Sequence, residues 1–172
     1  ACAAVVVLTF PGLEVVARAT ATQDIAFPYI PGLLTFREGP AILDALGRLD
    51  HEPGLLIFDG HGIAHPRRLG IASHIGLVCD LPSIGCAKSR LCGQYQEPGM
   101  ERGSHIPLID HGEAIGAIVR TRTGVKPVYV SIGHRMDLKT CIDVVLACCK
   151  EFRLPETTRK AHRLAEECKK ST

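Results

Sequence analysis

No apolar run in this 172-residue chain approaches the roughly 20 residues needed to cross a bilayer; the longest, Ala3–Phe10 and Gly54–Phe58, are strand-sized. Nor is there an excess of one charge. Twenty Lys and Arg stand against 18 Asp and Glu, a formal +2 that neither marks a nucleic-acid binder nor excludes one with a local basic face. The chain has no internal repeat, low-complexity tract or linker, and its length suits a single domain. A Walker-type phosphate loop, a G-x-S-x-G elbow and a dinucleotide-binding fingerprint are all missing, so those enzyme classes recede. The eight cysteines form no C-x-x-C pair. They sit in apolar stretches, as Cys79, Cys86, Cys141, Cys148 and Cys149 do, which reads as reduced, mostly buried thiols of a cytoplasmic protein rather than a disulfide framework.

What is present is ordinary globular material, 46% hydrophobic and 22% charged, enough to bury a core. Ala3–Thr9 and Glu14–Thr20 read as a hairpin around Pro11-Gly12, a dipeptide suited to a type II turn. Ile42, Leu43, Leu46 and Leu49 recur at helical spacing, predicting an amphipathic helix over Gly39–Leu49 with Pro40 in its first turn. Leu55–Phe58 is a continuous apolar run ending at Asp59-Gly60, the pattern of a covered strand. A helix over Gly70–Asp80 and a buried strand over Pro82–Ala87 complete a βαβ unit with parallel pairing. A second hairpin is predicted from Glu113–Arg122 and Lys126–Ile132 about Thr123-Gly124, then helices over Leu138–Phe152 and from Pro155 to Lys169. Gln94–Pro107 reads as one long loop without a pattern of its own.

Chemistry-bearing residues concentrate between Tyr29 and Lys88. Asp59 follows four apolar residues and is flanked by Gly60 and Gly62, which leaves backbone free for a ligand; a plain turn Asp fits as well. Glu38 lies just before the predicted helix, where the helix dipole favours negative charge. His65-Pro66-Arg67-Arg68 offers a phosphate clamp or a solvated surface. Lys88 at the end of its strand is placed either to neutralise a phosphate or to be a surface lysine, and His162 in the last helix reads by itself as a surface residue. His61 and His65 stand four apart, but no third zinc ligand follows at suitable spacing, and Gly62 between them does not support a metalloprotease-type helix. Carboxylates mixed with Lys and Arg are what metal-assisted phosphodiester chemistry requires: acidic oxygens hold a hard cation while basic side chains meet phosphates.

At these same positions the chain resembles the endonuclease V family, nucleases that cut strands near deaminated adenine. The resemblance runs from about Ala3 to Lys169. It passes through PYIPG at Pro28–Gly32, FREGP at Phe36–Pro40, FDGHGIAHPRRLGIASH at Phe58–His74, PSIGCAKSRL at Pro82–Leu91, VSIGHRMD at Val130–Asp137 and RLPETTRKAH at Arg153–His162. Several long motifs in one order are far more specific than any one of them. The resemblance implies an α/β, RNase H-like fold, a central mixed β-sheet flanked by helices, with Mg²⁺ as cofactor and Mn²⁺ able to substitute. It matches Glu38 and Asp59 to the metal carboxylates, Lys88 to the phosphate-side cation and His162 to the histidine beside the metals. Tyr29 matches the wedge that fills the stack when the base flips out, a role suited to a rigid aromatic between prolines. Gly32, Leu34, Gly60, Gly62 and Leu91 match the lining of the base pocket, and His65 and Gly70 match positions that support substrate contact.

The implied function is recognition of deoxyinosine or inosine in nucleic acid and hydrolysis of the second phosphodiester bond 3′ to it, leaving 3′-hydroxyl and 5′-phosphate ends, for DNA repair by a monomer. A non-catalytic inosine-binding module and a relative acting on inosine-containing RNA stand as the alternatives. The family carries one more catalytic aspartate, in a GVD-type strand preceding the segment matched by Ala1–Phe10. That strand is central to an RNase H-like sheet, so the expectation is a natural protein that is longer at this end.

Overall fold

The computed structural model describes residues 2–24, 27–28, 30 and 32–170. In chain order the elements are β1 (Cys2–Leu8), β2 (Val15–Thr22), α1 (Leu34–Gly47), β3 (Leu56–Phe58), α2 (Ile71–Cys79), β4 (Ser83–Ala87), β5 (His105–Asp110), β6 (Glu113–Val119), β7 (Val128–His134), α3 (Leu138–Cys148) and α4 (Glu156–Lys170). Five strands form a mixed sheet in the order β3-β4-β7-β6-β5. Only β3 and β4 run parallel, with Leu56 opposite Ser83 and Phe58 opposite Gly85, as the strand–helix–strand reading expects.

The sheet is held by the alternation of its side chains. Every residue of β4 is buried, which suits an apolar run with neighbours on both edges. On one face Ile84, Cys86, Val128 and Val130 pack under Cys141, Ile142 and Val145 of α3. On the other, Ile118 packs with Leu108, Ile115 and Ala64, with Tyr129 against them. A third cluster joins Leu56 of β3 to Ile71 and Ile75 of α2 and to the apolar stripe of α1. Each fully buried Val, Leu or Ile among them contributes about 1.5–3 kcal/mol by leaving water.

β1 and β2 form a separate antiparallel ribbon, Cys2 opposite Thr22 and Leu8 opposite Val15, that does not join the five-stranded sheet. Among the described residues, β1 and β3 share no ladder and bound a cleft walled by α1 and α4.

Several boundaries differ from expectation. The first turn is not type II, because the left-handed residue is Leu13 rather than Gly12; Leu13 is buried and donates to the Thr9 carbonyl at 2.8 Å. α1 begins at Leu34 instead of Gly39, so Pro40 sits inside it. The bond that proline forfeits would go to the carbonyl of Phe36, a solvent-facing residue, and packing of Leu34, Ile42 and Leu46 outweighs it. Glu38 is therefore inside the helix and not ahead of it. The second hairpin is shorter than expected, three residue pairs from Ala117 opposite Val130 to Val119 opposite Val128, and α3 ends at Cys148 rather than Phe152.

The long-loop reading of 94–107 missed β5, an edge strand containing Pro107 that joins β6 through His111-Gly112, both with positive φ. The segment before β5 is anchored by buried Arg120, which donates to the carbonyls of Pro98, Gly99 and Val125.

α3 is capped by Asp137, whose carboxylate accepts from the Thr140 hydroxyl at 2.6 Å and the Thr140 backbone at 2.9 Å. These bonds, the hydroxyl's first, hold its pKa below the ordinary 3.8. A lowered acid pKa stabilises the fold at higher pH, and the contribution is lost as pH falls through the folded value. Asp137→Ala is thus expected to lower the melting temperature at neutral pH. The gap to wild type should close below that pKa, as a melting series across pH would show.

Candidate functional site

Parallel pairing brings the ends of β3 and β4 side by side, with Asp59 one residue past β3 and Lys88 one past β4. Lys88 Nζ donates to Asp59 Oδ2 at 2.6 Å, and the two side chains are 42% and 37% exposed. An ion pair so open to water adds little to stability. Of the two, Asp59 lines the cleft between β1 and β3.

Two further expected residues reach the same cleft from separate helices: Glu38 from α1 and His162 from α4. Glu38 is half-buried. Burial pushes its pKa up, Asp59 pushes it further, and Arg37 and Lys169 oppose the rise. His162 Nε2 lies 3.2 Å from Glu166 Oε1, one turn along α4. The structure thus gathers Glu38, Asp59, Lys88 and His162 from four segments. Sequence reasoning did not single out Arg37 and Lys169, which line the cleft as cations near Glu38.

Among the described residues no three His, Cys, Asp or Glu side chains stand close enough to enclose a metal by themselves. The donor set nonetheless suits a hard divalent cation. Mg²⁺ is habitually held by one or two carboxylates, with water and phosphate oxygens completing the shell. Burial and the Asp59 carboxylate disfavour the ionised form of Glu38, and a positive charge in the cleft would favour it.

The glycines after Asp59 build a backbone wall. A Cβ on Gly62 would collide with the Ile132 carbonyl of β7, and one on Gly85 would meet the Gly62 nitrogen, so this loop lies directly on the sheet. Gly62 N donates to Ser131 Oγ at 2.9 Å, Ile63 N to Ile132 O at 2.8 Å and Gly70 N to Gly62 O at 3.0 Å. Gly70 is the N-cap of α2, while Gly60 packs on Ile71.

Gly32 has φ +78°, and its carbonyl accepts from Arg67 at 3.2 Å beside the ring of His65. His65 is buried, 5% exposed, and its Nδ1 accepts from the Arg67 backbone at 3.1 Å. Burial lowers its pKa, with a bond to the Gly32 backbone opposing the fall. His65 is therefore enclosed beside Gly32.

Of the basic residues at 65–68, Arg68 pairs with Asp110 at 2.9 Å, while exposed Arg67 donates to the Gly32 carbonyl at 3.2 Å. His61 and His65 likewise turn to different partners. Leu34 opens α1 and packs with the Leu56–Ile71–Ile75 cluster, while Leu91 lies past Lys88 and is 45% exposed. Tyr29 lies outside the described residues.

The sequence model of the family described as Endonuclease V matches residues 1–163. Endonuclease V of Roseiflexus sp. (strain RS-1) is 62% identical over 165 residues, 96% of this chain and 74% of that protein. The crystal structure of Endonuclease V from Streptomyces avermitilis superposes with a TM-score of 0.96 at 49% identity, covering 99% of this chain and 75% of that one. Ciona intestinalis Endonuclease V, solved with a 23mer DNA containing an inosine followed by a ribo-adenosine, gives 0.86 at 29% identity over 99% of this chain and 79% of that one.

Proposed function

Since the chain belongs to the endonuclease V family, it is a metal-dependent nuclease for nucleic acid bearing deaminated adenine, and we propose that it hydrolyses the second phosphodiester bond 3′ to deoxyinosine. Water adds to phosphorus and the 3′ oxygen leaves, giving 3′-hydroxyl and 5′-phosphate ends. The observation that supports this site is the Asp59–Lys88 pair at adjacent strand ends, with Glu38 on the neighbouring helix facing the same cleft.

Asp59 and Glu38 would hold Mg²⁺, for which Mn²⁺ substitutes. Bound there, such an ion supplies Lewis-acid stabilisation of charge at the phosphate and lowers the pKa of water. The remaining roles belong to protein groups. Lys88, released from Asp59, neutralises charge on the phosphate oxygens. His162 lies beside the carboxylates. The flipped hypoxanthine sits among Gly32, Leu34, Gly60, Gly62 and Leu91, where the backbone of Gly32 and Gly60 can bond its edge while Gly62, held on the sheet, shapes the floor. His65 and Gly70 brace that wall, and Tyr29 fills the vacated place in the stack.

The cell compartment proposed is the cytoplasm, where thiols such as buried Cys86, Cys141, Cys148 and Cys149 stay reduced, and the acting species is a monomer. No helix of the described residues is long and apolar enough to cross a membrane.

An oligonucleotide carrying one deoxyinosine is expected to be cut with Mg²⁺ and spared with a chelator, as gel resolution of the products would show. Equal cutting of undamaged DNA would reject the specificity. Binding without cutting under any divalent metal would instead favour a non-catalytic reader, and faster cutting of inosine in RNA would favour an RNA-directed enzyme.

A further inference from the structure

We propose that Arg153 and His61 are positioning residues that grip two consecutive backbone carbonyls, those of Lys88 and Ser89, and thereby aim the Lys88 ammonium at the reacting phosphate. The inference rests on the nuclease reading above and extends it to residues that touch neither substrate nor cation.

The need for such a grip follows from where the sheet ends. β4 stops at Ala87, opposite Tyr129 of β7, so Lys88 and Ser89 have left the ladder that orders the residues before them. A lysine has a long flexible stem, and its ammonium is placed only as well as the backbone from which it springs. Two side-chain donors take over where the ladder stops. Arg153 Nη2 donates to the Lys88 carbonyl at 2.7 Å and to the Pro127 carbonyl at 2.8 Å. His61 Nε2 lies 3.0 Å from the Ser89 carbonyl; a carbonyl only accepts, so this nitrogen carries the proton.

Each donor is itself fixed. The Arg153 carbonyl accepts from the Thr121 hydroxyl at 2.6 Å, and His61 follows Asp59 by two residues in the loop laid on β7. The His61 bond therefore ties the segment bearing the carboxylate to the segment bearing the ammonium. Arg153 adds a tie from the stretch leading into α4, which carries His162.

Both residues are costly where they are. Arg153 Nε is buried without a hydrogen-bond partner, and among the described residues no carboxylate forms an ion pair with that guanidinium. Nδ1 of His61 is likewise buried and unpartnered. Orphaned polar atoms of this kind are destabilising and call for an explanation. The hold on Lys88 provides one for both.

The test uses the full chain with Arg153→Leu, His61→Phe and the conservative His61→Gln, which keeps an N–H donor. Single-turnover cutting of a deoxyinosine oligonucleotide with Mg²⁺ is expected to fall about 10–100-fold in the first two, the range for losing an outer-shell partner. Affinity for the same oligonucleotide in chelator should not change, and His61→Gln should recover most of the rate. In a Lys88→Met background neither substitution should slow cutting further, since residues acting through one group are not additive. In protein labelled with ¹⁵N-lysine, the Lys88 ammonium resonance, assigned by its loss in Lys88→Met, should shift or broaden in both variants.

The proposal is overturned if either substitution costs the same factor in the Lys88→Met background, or if that resonance does not move. Should Arg153→Leu fail to fold, His61→Phe decides. Should wild type not cut inosine at all, the functional reading fails instead, and the resonance alone then upholds or overturns the grip.

Discussion

Asp59→Ala is expected to abolish cutting while leaving inosine-oligonucleotide binding intact or slightly tighter. Asp59 supplies a hard oxygen in the lining of the cleft, and removing a cation ligand should cost well over the roughly 100-fold seen when a group supporting a ligand is lost. Binding responds differently because a nucleic acid presents phosphates. Deleting a carboxylate removes a repulsive charge and frees Lys88, which now spends its ammonium on Asp59 at 2.6 Å. Single-turnover rates set beside anisotropy titrations in chelator check both halves. Cutting within tenfold of wild type would remove Asp59 from the metal site, and a parallel loss of affinity would make it a binding residue.

The second large effect is on the fold. Gly62→Ala adds one methyl group where the nearest neighbours are the carbonyl oxygen and carbon of Ile132, backbone atoms of β7 that cannot swing aside. Overpacking typically costs 1–3 kcal/mol, and here the loop can make room only by lifting off the sheet. That movement threatens the bonds from Gly62 N to Ser131 Oγ, Ile63 N to Ile132 O and Gly70 N to Gly62 O. A loss of about 3 kcal/mol is expected, visible as a lower denaturant midpoint with an unchanged slope. Cutting should fall with it, since Asp59 begins the same loop. An unchanged midpoint would mean that the loop has room the structure does not show.

The strand–helix–strand unit from Leu55 to Ala87 was legible because each of its segments has one dominant pattern: a short apolar run, a helical stretch, then another run. Parallel pairing puts Asp59 and Lys88 at one end of the sheet, and they meet there. β5 was not legible, because Pro107 interrupts its alternation and the turn that follows uses His111-Gly112, a weak member of the turn-forming pairs. The true start of α1 was hidden by Pro40, whose local penalty says nothing about the apolar contacts that offset it. His162 joins the cleft only because α4 packs along β1, a long-range docking that no helical period encodes. The motifs pointed to it, but its own surroundings in the sequence did not. The partners of Arg153 and His61 were invisible for a simpler reason: they are backbone carbonyls, which every residue possesses.

The Asp59–Lys88 pair has one further consequence, for thermodynamic linkage. A divalent cation drawn to the carboxylate and a phosphate drawn to the ammonium each compete with the attraction between the same two charges. Whichever arrives first leaves the other partner released and waiting. Cation and nucleic acid should therefore bind with positive cooperativity, each raising the affinity for the other by the same factor.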